Sequence, residues 1–179
     1  MHKDGSINYE KFGELIEFQI SHGTDAIIAC ATTGESPVLN HEEHCKALEY
    51  VIQKVNKRVP VIASTGSNDT AYAVQLSQEA ERMGADAPLS VTPYYNKTTQ
   101  EGLYAHFMAI AEHTELPIVL YNVPGRTGLD IAPETIDRLA ESGRFVALKA
   151  SRYDLPRRME KHSAMRGRLP LSSRNDDMI

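Results

Sequence analysis

With 179 residues, 41% hydrophobic and 24% charged, the chain has the composition of one ordinary globular domain with one core. A net charge of -5 leaves no basic footprint for nucleic acid, and neither an apolar export segment after Met1 nor a stretch of membrane-span length is present, so nucleic-acid and membrane partners are not expected. Two cysteines, Cys30 in an apolar run and Cys45 on an expected helix, do not make a disulfide framework, and a cytoplasmic protein is expected.

Apolar runs suited to buried parallel strands begin near Ala26, Val59, Ala87, Pro117 and Phe145, roughly one βα repeat apart. Between them the spacing turns helical. Leu48, Val51, Ile52 and Val55 fall at i, i+3, i+4 and i+7, and Leu103, Phe107, Ile110 and Ala111 at i, i+4, i+7 and i+8. Asn40 with Glu43 reads as a capping box, and Pro133 with Glu134 as the first turn of a later helix. Gly23 and Gly84 stand where helices should stop, each followed by Asp-Ala and a strand. The fold class is α/β. A glycine-rich G-x-G-x-x-G does not follow the first strand, and polar residues follow every strand, so a barrel is expected rather than an open doubly wound sheet.

The strand ends carry the chemistry. Thr32-Thr33-Gly34-Glu35-Ser36, after the run at Ala26, offers backbone amides and two hydroxyls to a carboxylate. His41 and His44 stand i, i+3 apart at a helix start, without a third ligand in view, so no metal is assigned. Ser64-Thr65-Gly66-Ser67-Asn68 is rich in turn formers and adds little. Thr92-Pro93-Tyr94-Tyr95-Asn96 places two phenols on a loop, suited equally to a subunit interface or to proton transfer. Tyr121 then opens the tight loop Asn122-Val123-Pro124-Gly125-Arg126-Thr127-Gly128, which presents Arg126 for bidentate capture of a carboxylate. Lys149 closes the run Phe145-Val146-Ala147-Leu148. An amine and a phenol at the same ends of successive parallel strands face one cleft, where Schiff-base carbonyl chemistry is possible.

Together Thr32-Thr33-Gly34-Glu35-Ser36, Thr92-Pro93-Tyr94-Tyr95-Asn96, the run Tyr121 to Gly128 and Lys149 resemble the dihydrodipicolinate synthase family of pyruvate-dependent class I aldolases, with a match running from about Asp4 to Lys149. The resemblance implies a (β/α)8 TIM barrel that condenses pyruvate with aspartate semialdehyde on the route to lysine and diaminopimelate. By that resemblance Lys149 forms the imine with pyruvate, so no cofactor is needed. Tyr121 is the central proton-transfer phenol, Thr32 its relay partner, and Tyr95 the relay tyrosine supplied across a dimer interface. Thr33 contacts the pyruvate carboxylate and Arg126 the carboxylate of the second substrate. Ser36, His44, Asn68 and Tyr94 match a lysine feedback site, where Tyr72 replaces a glutamate common in lysine-sensitive members; weak inhibition by lysine is expected. N-acetylneuraminate lyase, a relative of the same superfamily, is the alternative, as is a catalytically inactive truncated subunit.

By the same comparison the barrel is expected to be incomplete, lacking the first strand and the last strand with the C-terminal region. Residues 1–151 are read as the βα units of about strands 2 to 6. Residues 152–179 are read as a divergent basic tail holding a local +3 against -8 elsewhere, with a helix and part of strand 7. After Lys149 the run Ala150-Ser151-Arg152 departs from the family's usual continuation, and Arg174 stands where the family carries a pocket glycine. A complete protein is expected to be a homo-dimer or homo-tetramer.

Overall fold

The computed structural model describes residues 1–151 and 170–173, the last three through their backbone. Helices and strands alternate: α1 (Tyr9–Ser21), β1 (Ile27–Ala29), α2 (His41–Val55), β2 (Val61–Ser64), α3 (Thr70–Met83), β3 (Ala87–Val91), α4 (Gln100–Ala111), β4 (Ile118–Asn122), α5 (Pro124–Thr127), α6 (Pro133–Glu141), β5 (Phe145–Ala150) and β6 (Leu171–Ser173). The strands pair in parallel in their chain order, β1-β2-β3-β4-β5-β6. A doubly wound sheet reverses its order at a switch point; this one does not, and the sheet is an arc of a (β/α)8 barrel with six strands described. Among the described residues β1 and β6 are its edges. The helix expected in the tail and Arg174 lie outside the described residues.

Local chemistry explains the element ends. Asn40 accepts from the Glu43 N–H while the Glu43 carboxylate accepts from the Asn40 N–H, the reciprocal box that satisfies two donors at the start of α2. Gly84 ends α3 at φ 92°, and Gly23, one residue past the cap of α1, sits at φ 81°, both in the left-handed region where a Cβ is strained. Leu48, Val51 and Val55 are buried on α2, as their spacing requires.

Two kinds of core result. Between sheet and helices, Leu103, Phe107 and Ile110 of α4 and Ile136 and Leu139 of α6 pack on Ile118, Leu120, Phe145 and Leu148. On the opposite, inner face of the sheet a second cluster contains Leu89, Val119 and Tyr121, Val123 just past β4, and Ala147 against it. Alternation along a strand therefore sends Leu120 and Leu148 toward helices and Tyr121 and Lys149 toward the barrel interior. The β4–β5 register shifts after its first pair, from Ile118↔Phe145 to Val119↔Ala147, so Val146 is an extra residue on β5. Phe145 and Leu148, three apart, consequently share one face.

None of the helices among the described residues is long and apolar enough to cross a membrane.

Candidate functional site

Beyond the shift the register pairs Tyr121 with Lys149. Adjacent parallel strands in register point both side chains to the inner face, and the Lys149 amine lies 4.8 Å from the centroid of the Tyr121 ring, within cation–π range. Tyr121 is buried, and its hydroxyl lies 3.3 Å from Thr32 Oγ1, part-buried itself. Thr32 starts a short 3-10 turn, Thr32–Gly34, closed by Glu35 in the left-handed region at φ 56°. Three segments thus bring an amine, a phenol and a hydroxyl to the C-terminal rim of the sheet. Chain order places β4 and β5 side by side and the pleat turns their two side chains to one face, while Thr32 reaches Tyr121 from the segment after β1, with β2 and β3 between.

Two cavities open at this rim. Lys149 and Thr33 line one of ≈ 470 Å³. Thr32, Tyr121 and Arg126 line another of ≈ 430 Å³, and Leu39 lines both.

The segment after β4, expected as a loop, forms the one-turn helix α5, stopped by Gly128 at φ 67°. Val123 Cα precedes a proline, and Pro124 at the first helical position has no N–H to leave unpaired, which favours the turn. Thr92 Oγ1 donates to Thr127 Oγ1 at 3.0 Å, and Asn122 Nδ2 donates to Asp130 at 2.7 Å, while Asn122 Oδ1 accepts from the Ile131 N–H. These bonds fasten the base of the turn and leave Arg126 exposed at the cavity mouth. Tyr95 is not brought to the Thr32–Tyr121 pair within this chain: it sits at φ 67° and is 92% exposed.

Ser36, His44 and Tyr94 line the ≈ 430 Å³ cavity with Tyr72. Ser36 Oγ lies 3.4 Å from His44 Nδ1, and His44 Nε2 lies 2.9 Å from the Ser64 carbonyl. Burial holds the His44 imidazole below its ordinary pKa, against the opposing pull of that carbonyl. Asn68 stands beside this group and accepts, through its backbone carbonyl, from Asn96 Nδ2 at 3.1 Å.

The two histidines considered together as possible ligands part company. His44 turns inward to Ser64, whereas His41 meets Cys45 on its own helix and Glu79 on α3. Sequence spacing missed that grouping because its third member comes from another helix; the i, i+4 step from His41 to Cys45 was the available signal.

Residues 1–179 match the Dihydrodipicolinate synthetase family. The 4-hydroxy-tetrahydrodipicolinate synthase of Acetivibrio thermocellus is 62% identical over 146 residues, 82% of this chain and 50% of that protein. The synthase of Geotalea daltonii is 56% identical over 87% of this chain and 54% of its own length. Among solved structures, the chloride-inhibited dihydrodipicolinate synthase of Acinetobacter baumannii, complexed with pyruvate, superposes with a TM-score of 0.94 at 47% identity, covering 97% of this chain and 60% of that one. The lysine-bound enzyme of Cyanidioschyzon merolae gives a TM-score of 0.88 at 38% identity, over 93% of this chain and 57% of that one. The chain spans about half the length of the curated relatives it matches.

Proposed function

The chain belongs to the dihydrodipicolinate synthetase family, and on that footing we propose that its rim is the Schiff-base centre of a 4-hydroxy-tetrahydrodipicolinate synthase, a lyase of lysine and diaminopimelate biosynthesis. The observation that carries this reading is the Lys149 amine over the Tyr121 ring, with Thr32 on the phenol.

In this reading the Lys149 nitrogen adds to the keto carbon of pyruvate and water departs, leaving an imine bonded to the lysine. The imine draws electrons, so a methyl proton leaves and an enamine forms. The enamine carbon then bonds the aldehyde carbon of aspartate semialdehyde. Tyr121 moves the protons of these steps, and Thr32 passes them along. Thr33, in the cavity with Lys149, suits the pyruvate carboxylate; Arg126, at the mouth of the next, suits the carboxylate of the semialdehyde. The exposed Tyr95 fits a relay completed from a second copy of the chain, in a homo-dimer or tetramer. No cofactor enters because the imine is itself the electron sink. Two free cysteines agree with a reducing, cytoplasmic setting.

Ser36, His44, Asn68 and Tyr94 are proposed as a feedback site for lysine. Tyr72 presents a phenol there, its hydroxyl 3.2 Å from His41 Nδ1, where a carboxylate would bind the inhibitor's ammonium group. Lysine should therefore inhibit weakly.

Reduction with borohydride in the presence of pyruvate tests the reading directly. The Lys149 peptide should gain the mass of a reduced pyruvate adduct; an unmodified Lys149 in folded protein overturns it. Product from pyruvate and aspartate semialdehyde, with none from N-acetylneuraminate, separates the synthase from the lyase.

A further inference from the structure

We propose that His41, Cys45 and Glu79 form a binding site for a divalent transition-metal ion, zinc class, on the outer helical layer and separate from Lys149. The three come from two elements: His41 and Cys45 are one turn apart on the same face of α2, and Glu79 faces them from α3. Cys45 Sγ lies 3.2 Å from Glu79 Oε2 and 3.9 Å from His41 Nε2, and His41 Nε2 lies 3.6 Å from Glu79 Oε2.

Those three edges come within about 0.3 Å of the dimensions of one face of a coordination tetrahedron. With metal–ligand bonds of about 2.0 to 2.3 Å, tetrahedral donors stand roughly 3.3 to 3.6 Å apart. The trio needs shifts of only a few tenths of an ångström to surround an ion. Imidazole, thiolate and carboxylate together favour zinc or cobalt over magnesium or calcium, which take oxygen. His41 is exposed, so solvent reaches the open side and water supplies a fourth ligand.

Groups behind the ligands already hold them for this task. Tyr72 Oη, 3.2 Å from His41 Nδ1, accepts the ring N–H when that nitrogen carries the proton, which leaves the Nε2 lone pair facing Cys45 and Glu79. Gln75 Nε2 donates to Glu79 Oε1 at 3.1 Å, which orients the carboxylate and leaves Oε2 directed at the other two donors. An ion here ties α2 to α3 and fixes Tyr72 at the wall of the ≈ 430 Å³ cavity.

Cobalt(II) is the probe, titrated into the full chain in a non-coordinating buffer. One ion per chain should bind with the intense visible bands of tetrahedral cobalt and a near-ultraviolet thiolate band, and zinc should displace it. Cys45→Ser should abolish the thiolate band. Glu79→Gln, close in shape, should weaken binding at least about tenfold, and Tyr72→Phe by about tenfold or less. Weak octahedral-type spectra, a thiolate band that survives Cys45→Ser, or unchanged affinity in Glu79→Gln overturns the site. Circular dichroism on each variant separates lost binding from lost fold; should Cys45→Ser not fold, Glu79→Gln decides alone.

Discussion

β4 and β1 both deliver residues to the same rim, but they are held differently. Every residue of β4 is buried, with helices on one side and the inner-face cluster on the other. β1 has three residues, of which Ile28 is 38% exposed, and its chain leaves the sheet through Cys30 in the left-handed region at φ 54°. The phenol thus stands on a fully buried strand and its hydroxyl partner on a turn that follows a partly exposed one. Placement of Tyr121 is secured by packing, whereas placement of Thr32 depends on a short turn and a 3.3 Å contact.

Tyr121→Phe attacks the contrast most sharply. The ring stays against the Lys149 amine but the link to Thr32 is cut, so proton transfer should slow by about 10² to 10⁴-fold while pyruvate still labels Lys149. Equal loss of labelling and turnover would show that the phenol oxygen serves imine formation too. On stability, Leu120→Ala, which empties a fully buried position of β4, should cost about 2 to 5 kcal/mol. Ile28→Ala on β1 should cost about 1 kcal/mol or less in the same urea titration, since much of that side chain already meets water. Comparable losses would erase the distinction between the strands.

A pH series extends the comparison to α4, which backs the β4 side. His106 is buried with only its Nδ1 bonded, 2.8 Å from Thr70 Oγ1, and burial lowers its pKa from 6.5 to about 4. The unfolded chain takes up this proton near pH 6.5 and the folded one only near 4, so stability is full above the unfolded value and falls with pH through that window. The fall should approach about 3 kcal/mol, with His44 adding in the same direction, and its larger part should vanish in His106→Gln. An effect as small as that of Ile28→Ala belongs to the helix after β1: Asn40→Ala removes one half of the α2 capping box and should cost about 1 kcal/mol.

Most of the scaffold was legible because periodicity and capping are local. The stripes on α2 and α4, the box at Asn40 and the glycine stops all follow from neighbours a few residues away. The meeting of Tyr121 and Lys149 was legible too, since chain-order strands align their ends. β1 came out shorter than its apolar run because Cys30 turns away, and a backbone torsion leaves no mark in side-chain hydropathy. The His41–Cys45–Glu79 trio depends on how two helices pack, which no spacing along one of them encodes.

The exclusion of Val146 from the β4–β5 pairing is what makes the two reactive groups neighbours. Were residue 146 paired in the ladder, the register that begins at Ile118↔Phe145 would run on to set Leu148 opposite Tyr121 and turn the amine of Lys149 toward the helices. Substitutions along β5 are edits to one side chain at a time, and a codon lost at 146 removes only the unpaired residue, but a single codon inserted after Ala147 exchanges nucleophile for hydrocarbon at the rim. Descendants of this gene can change or lose the letter at 146 far more freely than they can gain one beside it.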